Sequence, residues 1–328
     1  MNKRYSYWNG FAVAALLLSL TACTPTVTSV PLTPVTLQLS WTHSSQFSGY
    51  YAADQLGYYL DEGLAVTFIE GGPKVDRLKA VLDGSAQFGI GGGTNLIEAR
   101  ATENQVVGIA AILRRDPLAF FALASSGITR PQDFRGKVVQ VYVRARPYLY
   151  PMLVQAGLTP DQITEVNDAA FDDLYTGKVD VATGFVTTQF VDAQHAGYKL
   201  NVINPDDYGV HFMSDVIFAT DTFLTQNHDL ALRFLRATLK GWTYAVENPV
   251  QAAAFVAKYK PNADLSYETA TLTASLPYIN TGEDHIGWMK PEIWTNMEQT
   301  LLEQGVITKP IDVTQVYTLQ FLQEIYQP

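Results

Sequence analysis

From residue 35 onward, short apolar runs typical of β-strands alternate with segments of helical pattern, and this alternation most constrains the fold. A predicted strand over 35–39 is followed by a helix over 48–60 and a second strand over 64–69. The same order repeats, and a new series of strands and helices begins after Pro117. Strands separated by helices of about ten residues predict right-handed βαβ units and largely parallel sheets in an α/β fold.

The new series predicts a second lobe that is separate from the first sheet. One of its predicted strands lies over 136–142, and a later strand over 216–219 can carry the chain back into the first lobe. We therefore expect lobe I to comprise 35–117 plus 216–328, and lobe II to comprise 118–215, with two crossovers between them. A cleft between two α/β lobes is a common ligand site.

The N-terminus has the pattern of a secretory signal sequence. Lys3 and Arg4 form a basic region, and the apolar run over 11–20 is too short to span a bilayer as a helix. The Leu-x-Ala-Cys sequence that ends at Cys23 resembles the bacterial lipobox, at which the cysteine sulfur is acylated. We expect a lipoprotein signal peptide over 1–22 and a lipid anchor on Cys23 at the extracytoplasmic face of the cell membrane.

A short segment over 23–34 is rich in Thr and Pro and carries no charge, so we expect it to be a tether between the anchor and the first lobe. The alternative is that Cys23 is a buried core residue of an uncleaved N-terminal helix.

Composition argues against several classes of function. The net charge is −10, and removal of Lys3 and Arg4 would leave −12, so we expect no nucleic-acid partner. Cys23 is the only cysteine, so a mature chain would have neither a disulfide nor a thiolate metal site. No two of the five His residues have helical spacing for a metal, and a Gly-x-Ser-x-Gly motif is absent. We expect no cofactor, no metal and no enzyme activity.

The loop after the first predicted strand carries the densest set of candidate ligand-binding residues. Trp41 ends that strand, and Gln46, Phe47 and Tyr50 lie near the start of the following helix. Open α/β folds bind ligands at the carboxyl ends of their strands. The three aromatic rings can stack on a planar heterocycle, while Gln46 can donate and accept hydrogen bonds.

Further candidates follow later strands. Gly93 and Thr94 open a helix whose free N–H groups can meet polar ligand atoms, although a tight turn capped by Thr94 is an alternative. Tyr142, Arg144 and Tyr148 run from a strand into a helix start and are expected to face the cleft from lobe II. Arg144 can stack and donate several hydrogen bonds, or it can be a solvated surface charge. The remaining candidates are Phe185 and Asp215.

Three segments resemble one known family. The segment 46–64 resembles the start of the type II periplasmic-binding-protein-like proteins that serve ABC importers of thiamine pyrimidines and riboflavin. The segment 133–138 resembles the entry of that family into its second lobe, and 287–294 resembles its C-terminal segment. The resemblance implies a two-lobed fold with an interlobe cleft, a small planar vitamin as ligand and an ABC permease as partner. We also expect a monomer.

The resemblance leaves the ligand open. Thiamine-pyrimidine binders of this family typically carry Asn and His in the loop after the equivalent tryptophan, where this chain has Ser44 and Phe47. We therefore expect riboflavin, with a thiamine pyrimidine precursor as the alternative. A sulfonate is a further alternative, supported by Arg114, Arg115, Arg144 and Arg146.

Two alternatives lie outside the binding class. The first is an enzyme like the pyrimidine-synthesising member of this fold, but the cysteine-rich motif of that enzyme is absent from this chain. The second is a structural lipoprotein with a vestigial cleft.

Overall fold

The computed structural model describes residues 1–4 and 31–327. The predicted lipidation site Cys23, most of the predicted signal peptide and most of the predicted tether lie outside the described residues. Among the helices within the described ranges, none is both long enough and apolar enough to cross a membrane.

Ten strands are present in the described residues. They are β1 (Thr33–Gln38), β2 (Leu64–Ile69), β3 (Phe88–Gly91), β4 (Val106–Leu113), β5 (Leu118–Leu123), β6 (Val138–Gln140), β7 (Thr164–Val166), β8 (Val181–Phe185), β9 (Leu200–Ile203) and β10 (Ser214–Thr220).

The described residues also form twelve α-helices. They are α1 (Ser48–Gln55), α2 (Tyr58–Asp61), α3 (Arg77–Leu82), α4 (Gly93–Ala101), α5 (Arg146–Gln155), α6 (Gln189–His195), α7 (Asp221–Gln226), α8 (His228–Glu247), α9 (Pro249–Ala254), α10 (Leu265–Ile279), α11 (Pro291–Glu303) and α12 (Gln320–Tyr326).

The strands form two five-stranded mixed sheets. The first has the order β2-β1-β3-β10-β4, and the second has the order β7-β6-β8-β5-β9. In the first sheet β1 runs parallel to β2 and β3, whereas β10 runs antiparallel to β3 and β4. In the second sheet β6 runs parallel to β7 and β8, whereas β5 runs antiparallel to β8 and β9.

Four of the five strands in each sheet therefore run in the same direction, which confirms the prediction of largely parallel sheets, and each sheet also contains one antiparallel strand. The antiparallel strands, β5 and β10, are those that the chain enters directly after passing from the other sheet. No helix connects them to a preceding neighbour in their own sheet, so the geometric reason for a parallel βαβ unit does not apply to them. The two passages, over 114–117 and 204–213, confirm the predicted α/β fold with two crossovers. The lobe boundaries that we expected from the sequence remain a proposal.

The helix that the sequence predicts over 48–60 is two helices in the structure. Gly57 adopts the left-handed backbone conformation, with φ of +77°, and this turn separates α1 from α2. Glycine accepts this conformation without the steric cost of a Cβ atom. The sequence reading also missed the short strand β7 and the helices α7 and α12.

Two glycines bring α1 against α8, the longest helix described. A Cβ atom on Gly49 would lie 2.1 Å from the Trp242 ring, and one on Gly241 would lie 2.2 Å from the carbonyl oxygen of Gly49. Tyr50 packs edge-on against Trp242 with ring centroids 5.5 Å apart. Both rings are buried. This contact fixes α1, and the loop before it, on the first sheet.

Candidate ligand-binding site

Three predicted site residues expose aromatic rings at the carboxyl ends of strands from both sheets. Trp41 follows β1 and is 48% exposed, Tyr142 follows β6 and is 44% exposed, and Phe185 ends β8 and is 39% exposed. Large aromatic side chains are usually buried, and their exposure at strand ends is typical of a ligand surface in α/β folds. These rings supply faces on which a planar ligand can stack.

Asp215 lies at the start of β10, where the chain has just returned to the first sheet. Its carboxylate accepts hydrogen bonds from Nε2 of Gln46, at 2.9 and 3.0 Å, and from Oγ of Ser40, at 3.3 Å. The residue is only 6% exposed, and its φ of +46° is left-handed, a conformation that is unusual for a non-glycine residue. Burial raises the pKa of Asp215 to about 6, although the two hydrogen-bonding neighbours act in the opposite direction.

A second carboxylate, Asp116, lies on the first passage between the sheets. It accepts hydrogen bonds from the Tyr148 hydroxyl and from the N–H of Leu118, each at 2.9 Å. Burial raises the pKa of Asp116, and its charge also raises the pKa of Asp215. Tyr148 is buried and packs on Phe212 with ring centroids 4.2 Å apart. Tyr148 therefore ties α5 to both passages.

Arg77 is a component of the site that sequence reasoning missed. It opens α3, and its Nη1 donates to the carbonyl oxygen of Ser40 at 2.7 Å. Burial lowers the pKa of Arg77, Asp215 raises it and Arg144 lowers it, so these charged groups lie near one another. The signal in the sequence was a lone arginine at the first turn of a helix, which is too common to single out.

Arg144 and Arg77 bring positive charge to the site from different sheets. Arg144 is exposed, lies just after β6 and has no salt bridge within the described ranges. The sequence also offered three other arginines in support of a sulfonate ligand, and all three form salt bridges with carboxylates in the structure. The pairs are Arg114–Asp284, Arg115–Asp206 and Arg146–Glu165.

Phe47 and Tyr50 lie in the core of the first lobe. Phe47 packs edge-on against Tyr51 with ring centroids 6.4 Å apart, and both Phe47 and Tyr50 are fully buried. Neither ring has an exposed face in this structure, so stacking on a ligand would require the loop to move. Both rings stabilise the first lobe here.

Gly93 and Thr94 open α4 as the sequence predicts. The N–H of Gly93 donates to the carbonyl oxygen of Met213 at 3.0 Å, so it is already paired within the protein. A Cβ atom on Gly93 would lie 2.5 Å from Cε of Met297 in α11. A larger residue would therefore displace the end of the Met297 side chain, and its Cβ atom would lie 3.1 Å from the carbonyl oxygen of Met213. Thr94 is half-buried beside it, and the side-chain hydrogen bond at the start of α4 comes from Asn95, whose Oδ1 accepts the N–H of Gly92 at 3.3 Å.

Two cavities in the described structure lie away from the residues predicted to contact riboflavin, although the second includes two arginines of the sulfonate alternative, Arg114 and Arg115. One, of about 470 Å³, is lined by residues that include Asn280, His285 and Trp288. The other, of about 260 Å³, is lined by residues that include Arg115 and Lys290. Neither contains an aromatic residue that the sequence predicts as a ligand contact. Within the ranges that the structure covers, no group of three or more His, Cys, Asp or Glu side chains could hold a metal ion.

Comparison with known proteins finds relatives of two kinds. The chain is 27% identical to the riboflavin-binding protein RibY of Chloroflexus aurantiacus, over 95% of this chain and 96% of that protein. It is 24% identical to a formylaminopyrimidine-binding protein of Halalkalibacterium halodurans, over 91% and 97%. It is also 26% identical to a 4-amino-5-hydroxymethyl-2-methylpyrimidine phosphate synthase of Legionella pneumophila, over 88% and 92%.

Solved structures with the same fold include the periplasmic aliphatic sulphonate binding protein SsuA of Escherichia coli. The TM-score is 0.67 at 17% identity, and the match covers 88% of this chain and 92% of SsuA. This likeness shows the fold, a two-lobed type II periplasmic-binding-protein fold. The sequence model described as NMT1/THI5 like matches residues 44–252, which is more than half of the chain. The chain therefore belongs to the NMT1/THI5-like family.

Proposed function

We propose that this protein is the solute-binding component of an ABC importer, which captures riboflavin and delivers it to a membrane permease. The observation that carries the proposal is the exposure of Trp41, Tyr142 and Phe185 at strand ends. The hydrogen-bonded pair of Gln46 and Asp215 lies in the loop that carries Trp41 and at the return from the second sheet. The similarity to a riboflavin-binding protein along almost the whole chain supports the same ligand.

The flavin ring system suits this combination of groups. It is large, planar and neutral, so exposed aromatic rings can stack on its faces without a charged partner. Its imide N–H needs a hydrogen-bond acceptor, and Asp215 offers a carboxylate that is ionised above a pH of about 6. The ribityl chain carries hydroxyl groups that Arg77 and Arg144 can bind as donors.

Closure of the two lobes would link ligand capture to delivery. The passages 114–117 and 204–213 are the connections about which the lobes can rotate. A ligand that contacts aromatic rings of both sheets binds the closed form better and shifts the population toward it. In this proposal the permease recognises the closed form, and acylated Cys23 holds the protein at the membrane.

A thiamine pyrimidine is the second candidate ligand, and the similarity to a formylaminopyrimidine-binding protein favours it. An aminopyrimidine also donates hydrogen bonds, for which Asp215 is a suitable acceptor. A sulfonate is less well supported, because Arg114, Arg115 and Arg146 are engaged by carboxylates.

Binding and turnover can be separated directly. We expect purified protein to quench riboflavin fluorescence and to saturate at one ligand per chain, with the ligand recovered unchanged. Tyr198→Ala serves as a control for nonspecific quenching by exposed aromatic rings. It removes an exposed ring of the second lobe that stacks on Tyr175 and is not one of the proposed ligand contacts. No quenching at micromolar riboflavin, together with calorimetric binding of an aminopyrimidine, would replace riboflavin with the second candidate. Conversion of the pyrimidine to a product would reject the binding role.

A further inference from the structure

The loop that carries Gln46 is held from a distant part of the chain. The backbone N–H of Ser45 donates to Oε2 of Glu268 at 2.7 Å, although 223 positions separate the two residues. Glu268 lies in the first turn of α10 and is 1% exposed. A buried carboxylate that accepts a backbone N–H makes one of the stronger hydrogen bonds in proteins.

This contact supplies a helix cap that the local sequence does not. Ser45 begins a 3-10 turn over Ser45–Phe47 that leads directly into α1. Ser44 precedes it, but its side chain makes no capping hydrogen bond. The first N–H groups of a helical segment lack internal partners, and a negative charge near them is favourable. Glu268 therefore performs from α10 the role that a local cap would otherwise have.

The charge of Glu268 is balanced on its other side. Oε1 accepts a hydrogen bond from Nζ of Lys260 at 2.9 Å, and the Lys260 side chain is 46% exposed. A buried carboxylate is tolerated when it is both paired and hydrogen-bonded. The two oxygens of Glu268 thus have different partners, a cation and the loop backbone, and substitution can separate the two contacts.

The position of Ser45 determines where Gln46 can reach. Gln46 is the next residue, and its amide donates to both oxygens of Asp215 and to Oγ of Ser40. If the Ser45 peptide rotates, the amide of Gln46 moves relative to the Asp215 carboxylate. A second carboxylate, Glu70, accepts the N–H of His43 at 2.7 Å and holds the start of the same loop.

We propose that Glu268 is a positioning residue of the ligand site, which fixes the Ser45 peptide so that Gln46 and Asp215 are oriented for the ligand. The proposal rests on the proposed function, since it assumes that this loop contacts the ligand. Glu268 itself touches no ligand in this account.

The test compares two substitutions of nearly equal size. Glu268→Gln keeps an oxygen acceptor for the Ser45 N–H, whereas Glu268→Met removes it. We expect Glu268→Met to weaken riboflavin binding about tenfold and Glu268→Gln to weaken it about threefold or less, because only Glu268→Met removes the acceptor of the Ser45 N–H. Lys260→Met is the control, since it removes the cation and keeps the acceptor for the Ser45 N–H. We expect it to lower the melting temperature, because it leaves a buried carboxylate without its cation, and to keep the riboflavin affinity within about threefold of the wild-type value.

Amide hydrogen exchange of the ligand-free protein tests the contact without any ligand. We expect the Ser45 amide to be protected in the wild-type protein and in Glu268→Gln, and to exchange at least about tenfold faster in Glu268→Met. If Glu268→Met does not fold, the wild-type measurement still decides, because an unprotected Ser45 amide overturns the proposal. Equal riboflavin affinity of folded Glu268→Met and wild-type protein also overturns it. Failure of the wild-type protein to bind riboflavin rejects the ligand, while the exchange result decides the Glu268 contact separately.

Discussion

The side-chain amide nitrogen of Gln46 lies 2.9 and 3.0 Å from the two carboxylate oxygens of Asp215, a residue 169 positions later in the chain. Gln46 belongs to the loop after the first strand, and Asp215 to the strand that returns from the second sheet. The contact therefore joins the candidate ligand loop to the end of a passage between the lobes.

Ligand affinity should depend on the ionisation of Asp215. Burial raises the pKa of this carboxyl to about 6, so acidification from pH 7.5 to pH 5, a range chosen around that value, protonates it; the carboxyl then loses its negative charge, and one of its two oxygens becomes an O–H donor. We expect the dissociation constant for riboflavin to rise as the pH falls through about 6. Fluorescence titration at a series of pH values measures this. In Asp215→Asn the affinity should be weaker at neutral pH and nearly independent of pH over the same range, and a wild-type profile that is equally flat would contradict the assignment.

Stability should show the opposite dependence on the same group. The raised pKa of Asp215 means that the folded state disfavours its ionised form, so the stabilising contribution is fully present below the unfolded pKa of about 4 and is lost as the pH rises through about 6. The effect is at most about 3 kcal/mol. We expect Asp215→Asn to gain melting temperature relative to wild type near pH 7 and to lose that gain near pH 4. Thermal unfolding of both proteins across this range provides the measurement.

Trp41 and Phe47 should have separable effects although they lie in one loop. Trp41 is half exposed, so Trp41→Ala should weaken riboflavin binding by about 1–3 kcal/mol, as for base stacking on aromatic side chains, with little change in melting temperature. Phe47 is buried against Tyr50 and Tyr51, so Phe47→Ala should lower the free energy of unfolding by about 3–5 kcal/mol. Calorimetry of binding and of unfolding distinguishes the two. If Trp41→Ala lowers the melting temperature but leaves riboflavin affinity unchanged, then the Trp41 ring packs against the protein and does not contact the ligand.

Local patterns in the sequence were sufficient to predict most of the fold. An apolar run predicted β2 with the bounds that the structure has, because the run is six residues long and is followed directly by polar and glycine residues. The sequence could not reveal that β5 and β10 run antiparallel to their neighbours, since the direction of a strand depends on where the preceding element ends in space. It also missed β7, a three-residue strand whose pattern is too short to recognise.

The sequence predicted aromatic residues of the candidate site only where the side chain lies at or just after the end of a strand. Trp41, Tyr142 and Phe185 were identified because aromatic residues stand at strand ends, and the structure leaves them exposed. Phe47 met the same criterion, but helical rotation turned its ring into the core. Glu268 and Arg77 depend on contacts with residues far away in the chain, so no local pattern could have indicated them.

The lipid anchor can be tested independently of the ligand site. If Cys23 is acylated, Cys23→Ala should release the protein from the membrane fraction and leave riboflavin affinity unchanged, because Cys23 precedes the first strand and is not among the proposed ligand contacts. Fractionation of cells that express each form, followed by binding measurements on the released protein, provides the test. Retention of Cys23→Ala in the membrane fraction would reject the lipobox assignment.

Arg144 should discriminate between neutral and anionic ligands. It is exposed, and its charge lowers the pKa of Arg77, so two guanidinium groups from different sheets share one region of the site. A neutral flavin gains only hydrogen bonds from them, whereas a sulfonate gains a charge pair as well. We therefore expect Arg144→Ala to weaken riboflavin binding about threefold and to leave that affinity insensitive to salt. Arg146→Ala is the matched control, because Glu165 already engages that side chain. If wild-type protein instead binds an alkanesulfonate with an affinity that falls as salt is added, and Arg144→Ala abolishes that binding, then recognition is of an anion and the exposed aromatic rings do not define the ligand.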